Sequence, residues 1–268
     1  MIDLSHGNPY PSKTLSSFWE QCMLDAVNDT TSISSVLHYD TSLGQNTLIQ
    51  FICDYFNNHY QWDITTNHIL ITNGNKHSIS LVCGLFASPS SSFFLLKNPE
   101  YPGFFQAMTR YSSSYASTPT IRELPEFLFE YVYDSRILES IPKDTSLILY
   151  SNPNNPTGDL LNIDMTSQLN QWAKDNHCHI FIDGAYSEPF TKLHHHPHHM
   201  PFSSNTLYSF GFSKIGIPGL RIGVLIGDPE IIKPLHHLQQ KTMIQTNSLS
   251  QNIVSKAFSK PQFETLAY

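Results

Sequence analysis

Short apolar runs alternate with helix-patterned stretches from residue 68 to residue 227, and this alternation constrains the chain more than any other feature. The runs are His68–Thr72, Phe93–Lys97, Ser146–Ser151, His179–Asp183, Thr206–Phe210 and Arg221–Gly227. Each is too short for a helix and rich in β-branched or aromatic residues, which predicts strands buried on both faces. Asn75–Ala87, Tyr101–Tyr111 and Ile163–Asn176 carry helical spacing between them. The pattern predicts an α/β fold with a mostly parallel central sheet flanked by helices. Upstream, Leu15, Phe18, Trp19, Cys22, Met23 and Ala26 recur at helical spacing, as do Leu48, Phe51, Ile52, Tyr55 and Phe56 after Gly44. Met1–Ser12 reads as an extended arm, Asn28–Ser35 as a polar linker, and the chain from Pro229 onward as helical. Residues 1–30 are expected to form an N-terminal arm and helix, and 31–268 one large domain.

Charge and cysteine usage exclude several function classes. The formal charge of −7 leaves no basic face for nucleic acid. Four scattered cysteines without a CxxC pair predict buried thiols in a reducing compartment, not a zinc or disulfide framework. The opening MIDLSHGNPY has no basic segment followed by an apolar run, and no stretch is long and apolar enough for a membrane span. A cytoplasmic location is therefore expected. The histidine-rich run His194–His199 is broken by Pro197 and has no acidic or cysteine partner at ligand spacing, so no metal site is expected there.

Chemistry concentrates in the turns that follow the strands. In Ser209–Gly223, SFGFSKIGIPGLRIG, glycines and a proline allow a tight loop carrying one lysine, Lys214, beside Phe212 and Ile215. An amine at the edge of a low-dielectric site has its ammonium form disfavoured and becomes a usable nucleophile. A solvated lysine in a glycine-rich turn fits the same residues. Gly74 stands between a strand and a helix, so the amides of Asn75 and Lys76 are unpaired donors suited to a phosphate; an ordinary turn fits as well. Tyr101 sits in a proline-stiffened turn at a strand end, where open α/β sheets bind ligands, and can stack on a flat heterocycle. Asn152–Gly158, NPNNPTG, stiffens a loop that presents the Asn155 amide as a donor. Asp183 ends another strand, where a buried carboxylate needs a cationic partner. A pyridinium nitrogen is one such partner; capping the next helix is the alternative. Tyr186 lies three residues on.

In order and spacing, NPNNPTG (Asn152–Gly158), IDGAY (Ile182–Tyr186) and FSKIGIPGLRIG (Phe212–Gly223) resemble the class I/II aminotransferases, of the pyridoxal-phosphate fold-type I superfamily. Within it the chain is most similar to the valine–pyruvate aminotransferases, through Gly7-Asn8-Pro9, Tyr39-Asp40 with Gly44, Trp62-Asp63-Ile64, Thr72-Asn73-Gly74, Pro99-Glu100-Tyr101, Ala185-Tyr186 with Pro189-Phe190, and Ser213–Gly219. The resemblance implies a three-layer α/β/α large domain that binds pyridoxal 5'-phosphate. It implies Lys214 as the Schiff-base lysine and proton shuttle, Asp183 as partner of the ring nitrogen, and Asn155 and Tyr186 as donors to the ring hydroxyl. Tyr101 becomes the stacking ring. Gly74, the amides of Asn75 and Lys76, Ser213 and Arg221 become the phosphate cradle. Tyr39 reaches the cofactor phosphate of a neighbouring subunit, so a homodimer is implied. The reaction implied is ping-pong transfer of an amino group between an amino acid, valine or alanine among them, and a 2-oxo acid. A truncated pyridoxal-phosphate-binding protein with little or no transaminase activity, or a C–S lyase or decarboxylase of the same fold, is the alternative.

Three departures stand out. Gly211 lies where the family has a phosphate-binding hydroxyl, which predicts weaker cofactor binding. Ser5-His6 stand where relatives have glycines. No arginine follows Arg221, whereas relatives clamp the substrate carboxylate with one in a C-terminal small domain, which is expected to be absent here.

Overall fold

The computed structural model describes residues 7–187 and 200–263. Ser5-His6, Pro189-Phe190 and the histidine run 194–199 lie outside the described residues.

The helices are α1 (Lys13–Asn28), α2 (Thr30–Leu37), α3 (Asn46–Tyr60), α4 (Asn75–Phe86), α5 (Pro102–Tyr111), the short α6 (Arg136–Glu139), α7 (Ile163–Asp175), α8 (Pro229–Gln240) and α9 (Ser248–Phe258). The strands are β1 (Ile69–Thr72), β2 (Ser92–Leu95), β3 (Ser113–Ala116), β4 (Thr120–Glu123), β5 (Phe129–Val132), β6 (Thr145–Ser151), β7 (His179–Asp183), β8 (Thr206–Gly211) and β9 (Gly223–Ile226). Seven of them form one sheet in the order β1-β9-β8-β7-β6-β2-β3, and β4-β5 form a separate hairpin. β9 runs antiparallel to both neighbours, and every other pairing in the large sheet is parallel. Six strands therefore end on the same edge of the sheet, and Thr72, Ser151, Asp183 and Gly211 are the last residues of four of them.

Alternation along each strand builds two cores. Ile180 and Ile182 of β7, Ile148 and Tyr150 of β6, and Tyr208 and Phe210 of β8 face one core, with Trp19 of α1, Phe56 of α3, Leu169 of α7 and Val254 of α9. Phe181, Leu147, Leu149 and Leu207 face the other, with Val82 of α4, Phe104 of α5 and Leu235 of α8. Residues at successive strand positions point to opposite faces, so a sheet covered on both sides needs the unbroken apolar runs seen in the sequence. The result is the expected α/β/α sandwich.

The linker expected at Asn28–Ser35 is instead helix α2. Asp29 caps it, accepting from the Thr31 amide at 2.9 Å and pairing with Lys256 of α9 at 2.5 Å. Asn252 of α9 donates to Ser35 Oγ at 2.8 Å. Tertiary hydrogen bonds hold a helix whose serines and threonines, residues that compete with the backbone for hydrogen bonds, give little helical signal of their own. β9 also begins later than expected: Arg221 belongs to the preceding loop and adopts a left-handed backbone, φ 54°.

Candidate active site

The strand ends open into one cleft. Asn75, Lys76, Tyr101, Asn155, Asp183, Tyr186, Ser213, Lys214 and Arg221 all line it, together with Gly7, Ser151 and Gly211. Gly74 lies just behind that wall. Its φ of 86° starts α4, and a Cβ there would meet the Arg221 guanidinium at 2.5 Å. Tyr39 is not brought to this cleft; it is 82% exposed on the surface.

Lys214 occupies a 3₁₀ turn, Phe212–Ile215, set between β8 and β9. Phe212 and Ile215 are buried on the core side, which turns the lysine outward to the cleft. Its Nζ donates to the Gly7 carbonyl at 2.7 Å and lies 5.1 Å from the Tyr186 ring centroid. The turn ends at Gly216, φ 104°, where a Cβ would strike Leu15 of α1 at 2.6 Å. Trp19 of α1 then donates from Nε1 to the Ile215 carbonyl at 2.8 Å. The lysine loop is thus braced by the N-terminal helix.

Asp183 is 4% exposed at the end of β7. Its Oδ1 accepts from the Ala185 amide at 3.0 Å and from Asn75 Nδ2 at 2.6 Å. Burial pushes its carboxyl up to about 6, while the Asn75 and Ala185 hydrogen bonds and the Lys214 charge pull it down. A buried carboxylate with both of these donors on Oδ1 is suited to meet a cation through Oδ2.

The aromatic wall depends on a glycine. Tyr101 is the N-cap of α5, and a Cβ on Gly103 would lie 2.2 Å from its Cε1. The ring therefore packs against Gly103 in the first turn of the helix. Glu100 joins this turn to the NPNNPTG loop. It accepts from the Tyr101 amide at 2.9 Å, from the Ser151 amide at 2.8 Å and from Asn154 Nδ2 at 3.0 Å, as well as from the Ser151 hydroxyl. Ser151 Oγ in turn accepts from the Asn155 amide at 2.9 Å. Burial pushes Glu100 up to about 7.

At the opposite end, Asn75 and Lys76, the first two residues of α4, line the cleft beside Arg221. The Arg221 guanidinium donates to the Pro218 carbonyl at 3.0 Å and to Ser213 Oγ at 3.4 Å. A helix N-terminus with an arginine and a hydroxyl is an anion site of suitable chemistry for a phosphate. Glu100, Gly103, Trp19 and the Gly7 carbonyl were not singled out from the sequence for the site. Of these, Gly7 and Glu100 stood only in segments that carry the family likeness, Trp19 only on a helix face, and Gly103 beside Pro102 in the turn after β2, none of them with a role in the site.

The profile of the family described as aminotransferase class I and II matches residues 1–267. The chain belongs to the class I and II aminotransferases. Members of this family depend on pyridoxal phosphate, and the chemistry of the cleft suits that group: a buried carboxylate, an amine, and a helix N-terminus beside an arginine all line it. The valine–pyruvate aminotransferase of Escherichia coli is 26% identical over 242 residues, covering 88% of this chain and 58% of that protein. A (5-formylfuran-3-yl)methyl phosphate transaminase of Methanocaldococcus jannaschii is 28% identical over 232 residues, covering 83% of this chain and 56% of its own length. A putative amino-acid aminotransferase from Psychrobacter arcticum superposes with a TM-score of 0.89 at 26% identity, covering 98% of this chain and 65% of that one. The valine–pyruvate aminotransferase of Salmonella typhimurium, at 23% identity and a TM-score of 0.87, shares the fold. The chain thus spans somewhat over half the length of the relatives it matches. No described helix is long and apolar enough to cross a membrane.

Proposed function

We propose that this chain is the cofactor-binding part of an aminotransferase that moves an amino group between an amino acid and a 2-oxo acid, with valine or alanine as the amino donor to try first. The observation that carries the reading is the convergence in one cleft of the Lys214 amine, the buried Asp183 carboxylate and the N-terminus of α4. Bound pyridoxal phosphate supplies an electron sink conjugated to the substrate α-carbon.

The chain's own residues do the rest. Lys214 Nζ would hold the aldehyde carbon and then, released by the incoming amino group, take the α-proton and return it. Asp183 Oδ2 would face the ring nitrogen and keep it protonated. Asn155 and Tyr186 would donate to the ring hydroxyl, and Tyr101 would cover one ring face. The amides of Asn75 and Lys76, the Ser213 hydroxyl and the Arg221 guanidinium would hold the phosphate next to Gly74. Tyr39, exposed on the surface, would reach the phosphate in a second copy of the chain, which makes the working unit a homodimer.

The test is a half-reaction. The purified chain is loaded with pyridoxal phosphate and mixed with valine, alanine or aspartate, and the keto acid is measured. One keto acid released per cofactor, with loss of the aldehyde absorbance, supports the reading. A loaded chain whose absorbance ignores every amino acid refutes it.

A further inference from the structure

The end of β8 meets the start of α4 at Gly211, the position where the family resemblance implies a phosphate-binding hydroxyl. Residue 211 is glycine, and a Cβ there would lie 2.4 Å from Asn75 Oδ1. Side-chain atoms essentially never approach so closely, so the Asn75 side chain occupies the volume that a serine or threonine at 211 would need. From that position its Nδ2 reaches across to Asp183 Oδ1 at 2.6 Å, over 108 residues of sequence. Its own Oδ1 is buried and has no hydrogen-bond partner. Leaving an amide oxygen buried and unpaired costs stability, and such a group in a native structure calls for a compensating role.

We propose that the Asn75 side chain is a positioning residue for Asp183, and that the missing Cβ of Gly211 exists to admit it. The chain exchanges a hydroxyl on the cofactor phosphate for an amide on the carboxylate that serves the ring nitrogen. With Oδ1 bound by both Asn75 and the Ala185 amide, the carboxyl group is held in one orientation, which leaves Oδ2 for the cleft that Asp183 lines. A donor to a carboxylate also favours its charged form, which opposes the burial of Asp183. This rests on the proposed cofactor chemistry.

The experiment reads the ring nitrogen itself. The chain is loaded with 15N-labelled pyridoxal phosphate, and the ring 15N shift at neutral pH, which reports protonation, is recorded with the cofactor dissociation constant. Asn75→Ala is expected to move the shift toward the unprotonated value and to weaken cofactor binding roughly 5- to 50-fold. Borohydride should still attach the cofactor to Lys214 in that variant. Gly211→Ser attacks the same contact from the other strand: its Cβ displaces Asn75, so it should move the shift in the same direction. Added to Asn75→Ala, it should move the shift no further. A 15N shift unchanged in Asn75→Ala, whatever happens to affinity, overturns the proposal. So does a Gly211→Ser effect that adds in full to that of Asn75→Ala. A wild-type chain that takes up no cofactor at Lys214 instead sinks the functional reading beneath it.

Discussion

Trp19 and Ile215 are joined by a hydrogen bond of 2.8 Å that spans 196 residues and pins the lysine loop to the first helix. The indole is 4% exposed and packs in the larger core, so its N–H has no water to turn to. The N-terminal helix is in this way part of the apparatus that presents Lys214, whatever its distance in sequence.

Replacing Trp19 with phenylalanine keeps most of the apolar surface and removes the donor. The Ile215 carbonyl is then left unpaired, which should cost about 1–3 kcal/mol of stability. Thermal unfolding measures that loss, and borohydride capture of the cofactor at Lys214 should slow in parallel because the loop has lost its anchor.

Gly103→Ala tests the aromatic wall. Alanine suits the first turn of a helix, so α5 itself should be unharmed. The new Cβ displaces the Tyr101 ring, whose Cε1 lies 2.2 Å from its ideal position. Cofactor affinity should fall roughly tenfold, about the worth of one aromatic contact, with unchanged far-UV circular dichroism.

Asp183 makes the cofactor-free chain sensitive to pH. Its carboxyl is raised from 3.8 to about 6, so the folded chain holds a proton that the unfolded chain has already lost. Stability from this group is full below about 4 and is lost as pH rises through 6. Asp183→Asn should therefore stabilise the cofactor-free chain at pH 7.5 by on the order of 2 kcal/mol, with the gain shrinking toward pH 5. The same variant should bind the cofactor worse. Melting curves with and without pyridoxal phosphate at both pH values check the sign.

Glu100 holds two strand ends together, and its removal should be felt in both. Glu100→Ala leaves the amides of Tyr101 and Ser151 without this acceptor, and leaves the Asn154 Nδ2 with the Pro99 carbonyl at 3.3 Å. The expected loss is about 2–4 kcal/mol in denaturant unfolding, and cofactor affinity should fall with it, since Tyr101 and Asn155 both hang from this carboxylate.

The sheet was legible because burial on both faces demands continuous apolar strands, and Ile180, Phe181 and Ile182 serve two cores from three successive positions. The motif residues were legible for a related reason: the turns after parallel strands all open on one edge, so Asn155, Asp183 and Lys214 had to meet there. Helix α2 was not, because its support comes from Lys256 and Asn252, more than two hundred residues away. The hairpin β4-β5 was not either: Phe127, Leu128 and Phe129 are exposed, and apolar residues outside a core carry no period tied to one. Glu100 reads as one more charged turn residue until its donors, drawn from β6 and the loop after it, are seen around it.

Reduction of the cofactor-loaded chain with borohydride, followed by peptide mapping by mass spectrometry, tests the central claim most directly. The pyridoxyl mass should appear on the peptide containing Lys214 and vanish in Lys214→Ala. Label on Lys76, on any other lysine, or on none would contradict the account.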